Sequence, residues 1–316
     1  MLNRRYLRIK VYQALYAFFQ SDGGSAARIE KELFVSIERT FDMYVSLMML
    51  FGEVRHAAER RLEERRNKKL PTAHDLSADR RFVDDPVLVA LAESPLLQAE
   101  AAKRRISWVG QGDLVQRLLK QFEASTEYQR LMEATTEKAR GGQHILLHLF
   151  LDHIAQFEPL HDMFEQRSIY WLEDLDLACA LVKRTISGLR DGEGAEEAMG
   201  DLVRDPAEEQ QFVRTLFRAV IEQSESHEQA IAAKASNWES DRIALSDMIL
   251  MKMALSEART FEEIPVKVTL NEYIEIAKAY STPKSKNFIN GILDKLFAEM
   301  RENGTIRKVG RGLLES

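Results

Sequence analysis

The amino-acid sequence predicts an all-α protein, and three observations carry that expectation. Apolar residues recur at three- and four-residue spacing along almost the whole chain, as they do on helices with one buried face. Only 7 prolines and 15 glycines interrupt 316 residues, too few for many short strands and turns. No stretch alternates apolar with polar residues in the manner of a half-buried strand. Apolar residues make up 45% and charged residues 30% of the chain, enough for a core beneath a solvated surface. There is no internal repeat and no low-complexity tract.

Residues 3–20 read as the first helix, with Leu7, Val11, Ala14, Leu15 and Phe18 as its apolar stripe. Its other face carries Arg5, Arg8, Ile9, Tyr12, Tyr16 and Phe19. A helix apolar on two sides is expected to be covered on both. The aromatics either pack on the following segment or meet bases or a protein partner, and the arginines read as phosphate contacts. Asp22-Gly23-Gly24-Ser25 breaks the chain. A long helix follows over 26–66, apolar at Leu33, Ile37, Phe41, Tyr44, Leu47, Met48 and Phe51. Its end, Arg60 to Lys69, alternates in sign and reads as a solvated helix end, with a basic nucleic-acid patch as the other option.

Residues 67–85 read as a loop, followed by short helices over 86–93 and 95–106. Trp108, Gly110 and Gly112 mark a joint before a helix over 113–138, with Leu114, Leu118, Phe122 and Leu131 in phase. Gly141-Gly142 ends it, and helical pattern resumes over 143–157 and 160–187 until the acidic joint Asp191-Gly192-Glu193-Gly194. Three further helices are expected at 206–224, 226–235 and 237–258.

The last two helices are the most informative. Thr269 followed by Glu272 is a capping-box spacing and is expected to start the first of them. Leu270, Ile274 and Ala277 share its buried face, and Ser281-Thr282-Pro283 ends it. Thr282 is expected to cap the next helix with Pro283 at its first position, and Phe288, Ile292 and Leu296 give that helix its stripe. Lys284 and Lys286 fall in its first turn, where the helix end is already positive. They read either as a phosphate site or as exposed lysines that keep the surface soluble.

Net charge is −6, which argues against a general nucleic-acid binder, but its distribution is uneven. Residues 1–20 carry +4, residues 266–296 carry +2 and residues 297–316 carry +1, leaving −13 for the remainder. A binding face would therefore be local to these segments. The sequence has no Gly-rich phosphate loop, dinucleotide fingerprint or nucleophile elbow, and no enzyme activity or cofactor is expected. The lone cysteine, Cys179, excludes an internal disulfide and reads as a small buried hydrophobe. His144, His148 and Asp152, spaced by four with His153 and His161 nearby, could present one metal-binding face. They lack the metalloprotease Glu and lie among leucines, so core-edge histidines are the better reading and no metal is expected. The longest apolar runs, such as YVSLMMLF, are too short to span a bilayer. No signal peptide or membrane association is expected, and the protein reads as cytoplasmic.

The stretch IPVKVTLNEYIEIAK followed by FINGILDKL (Ile264–Leu296) resembles the C-terminal half of the NusB family of antitermination factors. Arg4-Arg5-Tyr6-Leu7-Arg8 leading to Gln13-Ala14-Leu15-Tyr16 is similar to the Arg-rich opening of that family. The resemblance implies a NusB-like helical bundle with a large helical insertion. Residues 1–20 would be its Arg-rich helix, 21–205 the insertion, 206–300 the C-terminal bundle and 301–316 a basic flexible tail. It further implies binding of boxA-like single-stranded RNA together with the small-subunit ribosomal protein NusE, within the transcription elongation complex. The implied RNA-binding residues are Arg4, Arg5, Arg8, Lys10, Tyr16, Lys284, Lys286, Asn287 and Asn290. Pro283 and the two lysines depart from the acidic or small residues frequent at that joint, which bears on RNA preference. Two other readings stand beside this one: a protein-interaction scaffold that keeps the fold without RNA, and a domain serving an RNA-modifying enzyme. The second of these lacks the cofactor motif it would need.

Overall fold

The computed structural model describes residues 4–21, 24–76, 79–133, 142–171, 174–189, 195–199, 206–235 and 243–314. In chain order the helices are α1 (Arg4–Gln20), α2 (Ala26–Arg66), α3 (Ala73–Leu76), α4 (Pro86–Ala92), α5 (Pro95–Arg104), α6 (Gly112–Glu123), α7 (Thr126–Glu133) and α8 (Gln143–His148). They continue as α9 (Glu158–Arg167), α10 (Leu175–Gly188), α11 (Ala195–Ala198), α12 (Pro206–Glu222), α13 (Ser224–Ala235), α14 (Leu245–Thr260), α15 (Val266–Tyr280) and α16 (Ser285–Glu302). No strand occurs among the described residues, so the protein is all-α as the sequence predicts. None of the described helices is long and apolar enough to cross a membrane.

The chain divides into two compact units, Met1–Ile37 with Asp205–Ser316, and Glu38–Arg204. The first unit is built around α14. Every residue from Ile249 to Ala258 on this helix is buried, because α1, α12, α13, α15 and α16 all pack against it. A helix enclosed in this way must satisfy its own polar side chains internally. Lys252 donates to Ser224 at 2.9 Å and to Glu228 at 2.6 Å. Ser256 meets His227 at 3.2 Å, and Glu257 is held by Arg8, Thr269 and Tyr273. The same unit takes in the start of α2, where Glu30 accepts from Arg214 and Arg218 and Arg214 lies over the Phe34 ring.

The second unit is organised around the rest of α2, whose residues Phe41 to Met48 are all buried. Tyr44 hydroxyl bonds to Thr185 of α10 at 2.8 Å, the Phe51 ring lies 6.1 Å from that of Phe150, and the Trp108 indole donates to the Ser46 carbonyl at 3.1 Å. α4 and α5 start alike: Asp85 and Ser94 cap backbone N–H groups, each followed by a proline at the first helical position.

Several local expectations change: the helical pattern expected over 160–187 divides into α9 and α10, and the loop expected over 67–85 contains the short α3. The helix expected over 113–138 divides at Ala124-Ser125 into α6 and α7, and residues 134–141 lie outside the described set. α15 starts at Val266 behind Pro265, because Thr269 is buried and its hydroxyl is committed to Glu257 rather than to a capping box. α16 starts at Ser285, and Thr282 bonds the Ser285 hydroxyl at 2.8 Å instead of capping backbone. The C-terminal residues after α16 are anchored rather than loose: Lys308 Nζ donates to the Ala258 and Phe261 carbonyls at 2.8 and 2.9 Å, and Val309 N–H to Glu262 at 3.1 Å. These carbonyls belong to the end of α14, so a lysine and a backbone amide satisfy a helix terminus. The acidic joint Asp191-Gly192-Glu193-Gly194 lies outside the described residues.

Candidate nucleic-acid interface

In the first unit α1 packs beside α15, and two contacts fix their direction. Arg5 pairs with Glu272 through two hydrogen bonds of 2.8 Å, and the Tyr12 ring lies 5.4 Å from that of Tyr280. Seven residues along α1 thus match eight along α15, so the two helices run parallel. Their N-terminal ends carry the arginines, and their C-terminal ends carry the tyrosines and the joint into α16.

The arginines turn inward. Arg8 is 2% exposed and grips Glu257 with two bonds of 2.7 Å, while Thr269 and Tyr273 each donate to the same carboxylate at 2.9 Å. Burial alone would lower the Arg8 pKa, but the hydrogen bond and charge of Glu257 outweigh it and hold the guanidinium above its usual range. Burial, then Glu257, pushes the Tyr273 phenol up. Arg8 is therefore corrected from a phosphate contact to a core residue: a buried bidentate pair leaves no donor facing solvent. Lys10 is likewise 4% exposed, with its ammonium 5.7 Å from the Tyr6 ring, and presents no surface charge. Arg4 and Arg5 are partly exposed but paired, with Glu208 and Glu272 respectively, and Arg4 lies over Phe212. Much of the positive excess of the first twenty residues is thus neutralised inside this unit by acids from α12, α14 and α15.

At the other end the charge faces outward. Tyr16 is 36% exposed, and its ring lies 6.2 Å from Tyr12, which continues to Tyr280. Burial pushes the Tyr12 phenol pKa up, and its hydroxyl bonds Ser246. The chain after Tyr280 is shaped by Asp247 of α14, which accepts from Ser281 at 2.5 Å and from Ser285 at 2.9 Å. Sequence reasoning missed Asp247 and Tyr280; the signal was an acid beside the start of an apolar helix and an aromatic just before the Ser-Thr-Pro break. Lys284 precedes α16 at its N-cap position and Lys286 lies in its first turn, both exposed and without a side-chain partner among the described residues. Asn287 is exposed next to them, whereas Asn290 is half-buried and donates to Asp294 at 3.0 Å. Lys284, Lys286, Asn287 and Tyr16 are the predicted site residues that remain presented to solvent unpaired by charge.

In the second unit, a π-helical turn over Leu149–Ile154 follows α8 directly. His148 bonds Asp152 at 2.6 Å and meets His153 at 3.3 Å, while His144 is exposed. Among the described residues no group of three or more His, Cys, Asp or Glu side chains is arranged to hold a metal ion. Burial, with Asp176, pushes the Cys179 thiol up to about 12, so it is an unreactive thiol near neutral pH.

A helical unit with its arginines locked inward and a cationic joint held outward has the form of a binding module. The NusB family model matches residues 179–298. Transcription antitermination protein NusB of Salinibacter ruber is 43% identical over 124 residues, covering 38% of this chain and 78% of that protein. The same-named protein of Trichlorobacter lovleyi is 39% identical over 117 residues, 37% of this chain and 75% of its own length, and that of Chloroherpeton thalassium 42% over 104 residues, 33% and 49%. The chain belongs to the NusB family, as a long form in which much of the N-terminal sequence has no counterpart in the family match. No solved structure matches it.

Proposed function

We propose that this chain is a transcription antitermination factor that binds boxA-like single-stranded RNA together with the ribosomal protein NusE, and that it has no catalytic role. The observation that carries the reading is the exposed pair Lys284 and Lys286 at the start of α16, within the family-matched segment. Two exposed ammonium groups at the positive end of a helix suit a phosphodiester. The exposed Tyr16 ring, tilted against Tyr12, which in turn meets Tyr280, suits an unstacked base or the protein partner. Arg4 and Arg5 would contribute a weaker rim, since each must share its charge with a carboxylate. The part of the second unit that the family match does not cover, 38–178, would be an addition to this core rather than part of it.

The test is the affinity for boxA-like RNA across a salt series, with and without the NusE-type partner. Lys284→Gln and Lys286→Gln should each flatten the dependence of log affinity on log salt by about 0.7, and Tyr16→Ala should weaken binding with the slope intact. Binding that is unaffected by all three changes would sink the assignment. One observation favours the scaffold reading instead, namely the neutralisation of the N-terminal arginines by Glu208, Glu257 and Glu272. On that reading the partner protein binds and RNA does not.

A further inference from the structure

The second unit carries a basic cleft of about 620 Å³, far in sequence from the lysine joint. Its walls come from three segments: Arg39 and Asp42 on α2, Arg104 and Arg105 at the end of α5, and Arg167 and Tyr170 at and after the end of α9. Four guanidinium groups therefore face one carboxylate among its lining residues. Asp42 is already shared, accepting from Arg39 at 3.0 Å and from Arg104 at 2.8 Å. Arg104 is further held by Glu38 and Glu100 and lies 4.3 Å from the Phe41 ring centre, so it is a fixed part of the wall. Arg105 and Arg167 are exposed and have no side-chain partner among the described residues.

Arg105 also occupies an unusual backbone position. It ends α5 in the left-handed conformation, with φ of 57°, and is the only described non-glycine residue with positive φ. The Ile106 N–H closes on the Ala101 carbonyl at 2.9 Å, a helix ending in which glycine is the usual residue. A guanidinium is kept where the backbone favours no side chain at all, and that guanidinium lines the cleft. Beside it the half-buried Tyr170 is held in a single turn, since the next residue, Trp171, donates its indole N–H to the Arg39 carbonyl at 2.7 Å.

We propose that this cleft is a second binding site for single-stranded RNA, with Arg105 and Arg167 on successive phosphates and a base against Tyr170. Planar guanidinium forks match phosphate oxygens, and an aromatic ring between cations is the arrangement that holds single strands without reading sequence. Cations delivered by three separate segments around an open cleft suit a ligand charged at every repeat rather than one compact anion. The site is independent of the lysine joint.

The test uses the full chain and a short single-stranded RNA, titrated across salt concentrations, with Arg105→Gly and Arg167→Gln combined. The same pair is then introduced into a Lys284→Gln, Lys286→Gln background. In both backgrounds the pair should flatten the salt dependence by about 1.4, two contacts at about 0.7 each, and weaken binding about tenfold at low salt. Photo-crosslinks from the RNA should appear at Tyr170. Removing the strained arginine favours the fold, so Arg105→Gly should not lower the melting temperature, and lost affinity would not reflect unfolding. An effect of the arginine pair without an effect of the lysines would leave this site standing and remove the joint. Unchanged affinity and slope in both backgrounds, absence of RNA binding by the unmodified chain, or binding of adenosine monophosphate or an acidic peptide in place of RNA would each overturn the proposal.

Discussion

The guanidinium of Arg8 and the carboxylate of Glu257 face each other in the core with both N–O distances at 2.7 Å. Neither side chain reaches solvent, at 3% and 0% exposure. An isolated charge at either position would carry a large desolvation penalty, so each residue makes the other tolerable.

Arg8→Met should therefore destabilise the first unit by about 3–5 kcal/mol, because Glu257 would keep only Thr269 and Tyr273 as partners. Arg8→Met combined with Glu257→Leu should recover much of that loss. The measurement is amide hydrogen exchange along α14 and α15, which reports this unit directly, whereas Trp108 and Trp171 report the other. A double variant no more protected than the single one would show that the pair does more than satisfy charge.

His227 gives a pH-dependent prediction. It is buried against Ser256, and burial, with Arg259 and Lys252, lowers its pKa from 6.5 to about 4. The unfolded chain thus binds a proton that the folded chain refuses between these values. Stability should be full above pH 6.5 and fall as pH drops toward 4, by about 2–3 kcal/mol from this group. His227→Gln should flatten the unfolding profile across that window, compared with the unmodified protein under the same titration of carboxylates. Parallel profiles for the two proteins would rule out His227 as the source.

The anchored C-terminal segment makes a steric prediction. A Cβ built at Gly312 would come within 2.1 Å of the Glu262 carbonyl oxygen, which is backbone and cannot swing aside. Gly312→Ala should cost about 1–3 kcal/mol and release Lys308 from the end of α14. Faster exchange of the amides near Phe261 would report the release, and unchanged exchange would mean that the segment shifts without cost.

Arg105→Gly should stabilise the second unit by about 0.5–1 kcal/mol, the relief of a left-handed side chain less the added freedom of glycine in the unfolded chain. The two tryptophans of that unit, Trp108 and Trp171, provide the fluorescence signal for a denaturant titration. A lowered midpoint would mean that the guanidinium makes contacts that matter to the fold.

Much of the architecture was legible because burial writes itself into helical spacing. α2 follows the periodicity from Leu33 to Phe51, and Asp22-Gly23-Gly24-Ser25 marks its approach. Thr269 misled because its neighbour at three residues fits a capping box, yet only the tertiary structure reveals that its hydroxyl is needed by Glu257, twelve residues earlier. Arg8 misled for the same reason. A run of positive residues reads as a surface for phosphates until the distant carboxylates that neutralise it are known, and local spacing carries no information about them. The break after Tyr280 was legible because Ser281-Thr282-Pro283 is a local feature, although α16 starts two residues later than expected. The arginine cleft was not, since its segments are separated by more than sixty residues of chain between Arg39 and Arg104.

The first unit is assembled from the two ends of the chain, and this orders events during synthesis. Arg8 leaves the ribosome 249 residues ahead of Glu257, roughly 12–50 s at about 5–20 residues per second. For most of that interval α1 has none of α12, α14 or α15 to pack on, while Glu38–Arg204 emerges as one contiguous stretch. The intervening unit can fold as it appears, but the family-type bundle can close only once α14, α15 and α16 have emerged. A premature stop between Asp205 and α14 would thus yield a product that keeps the intervening unit and lacks the module it interrupts.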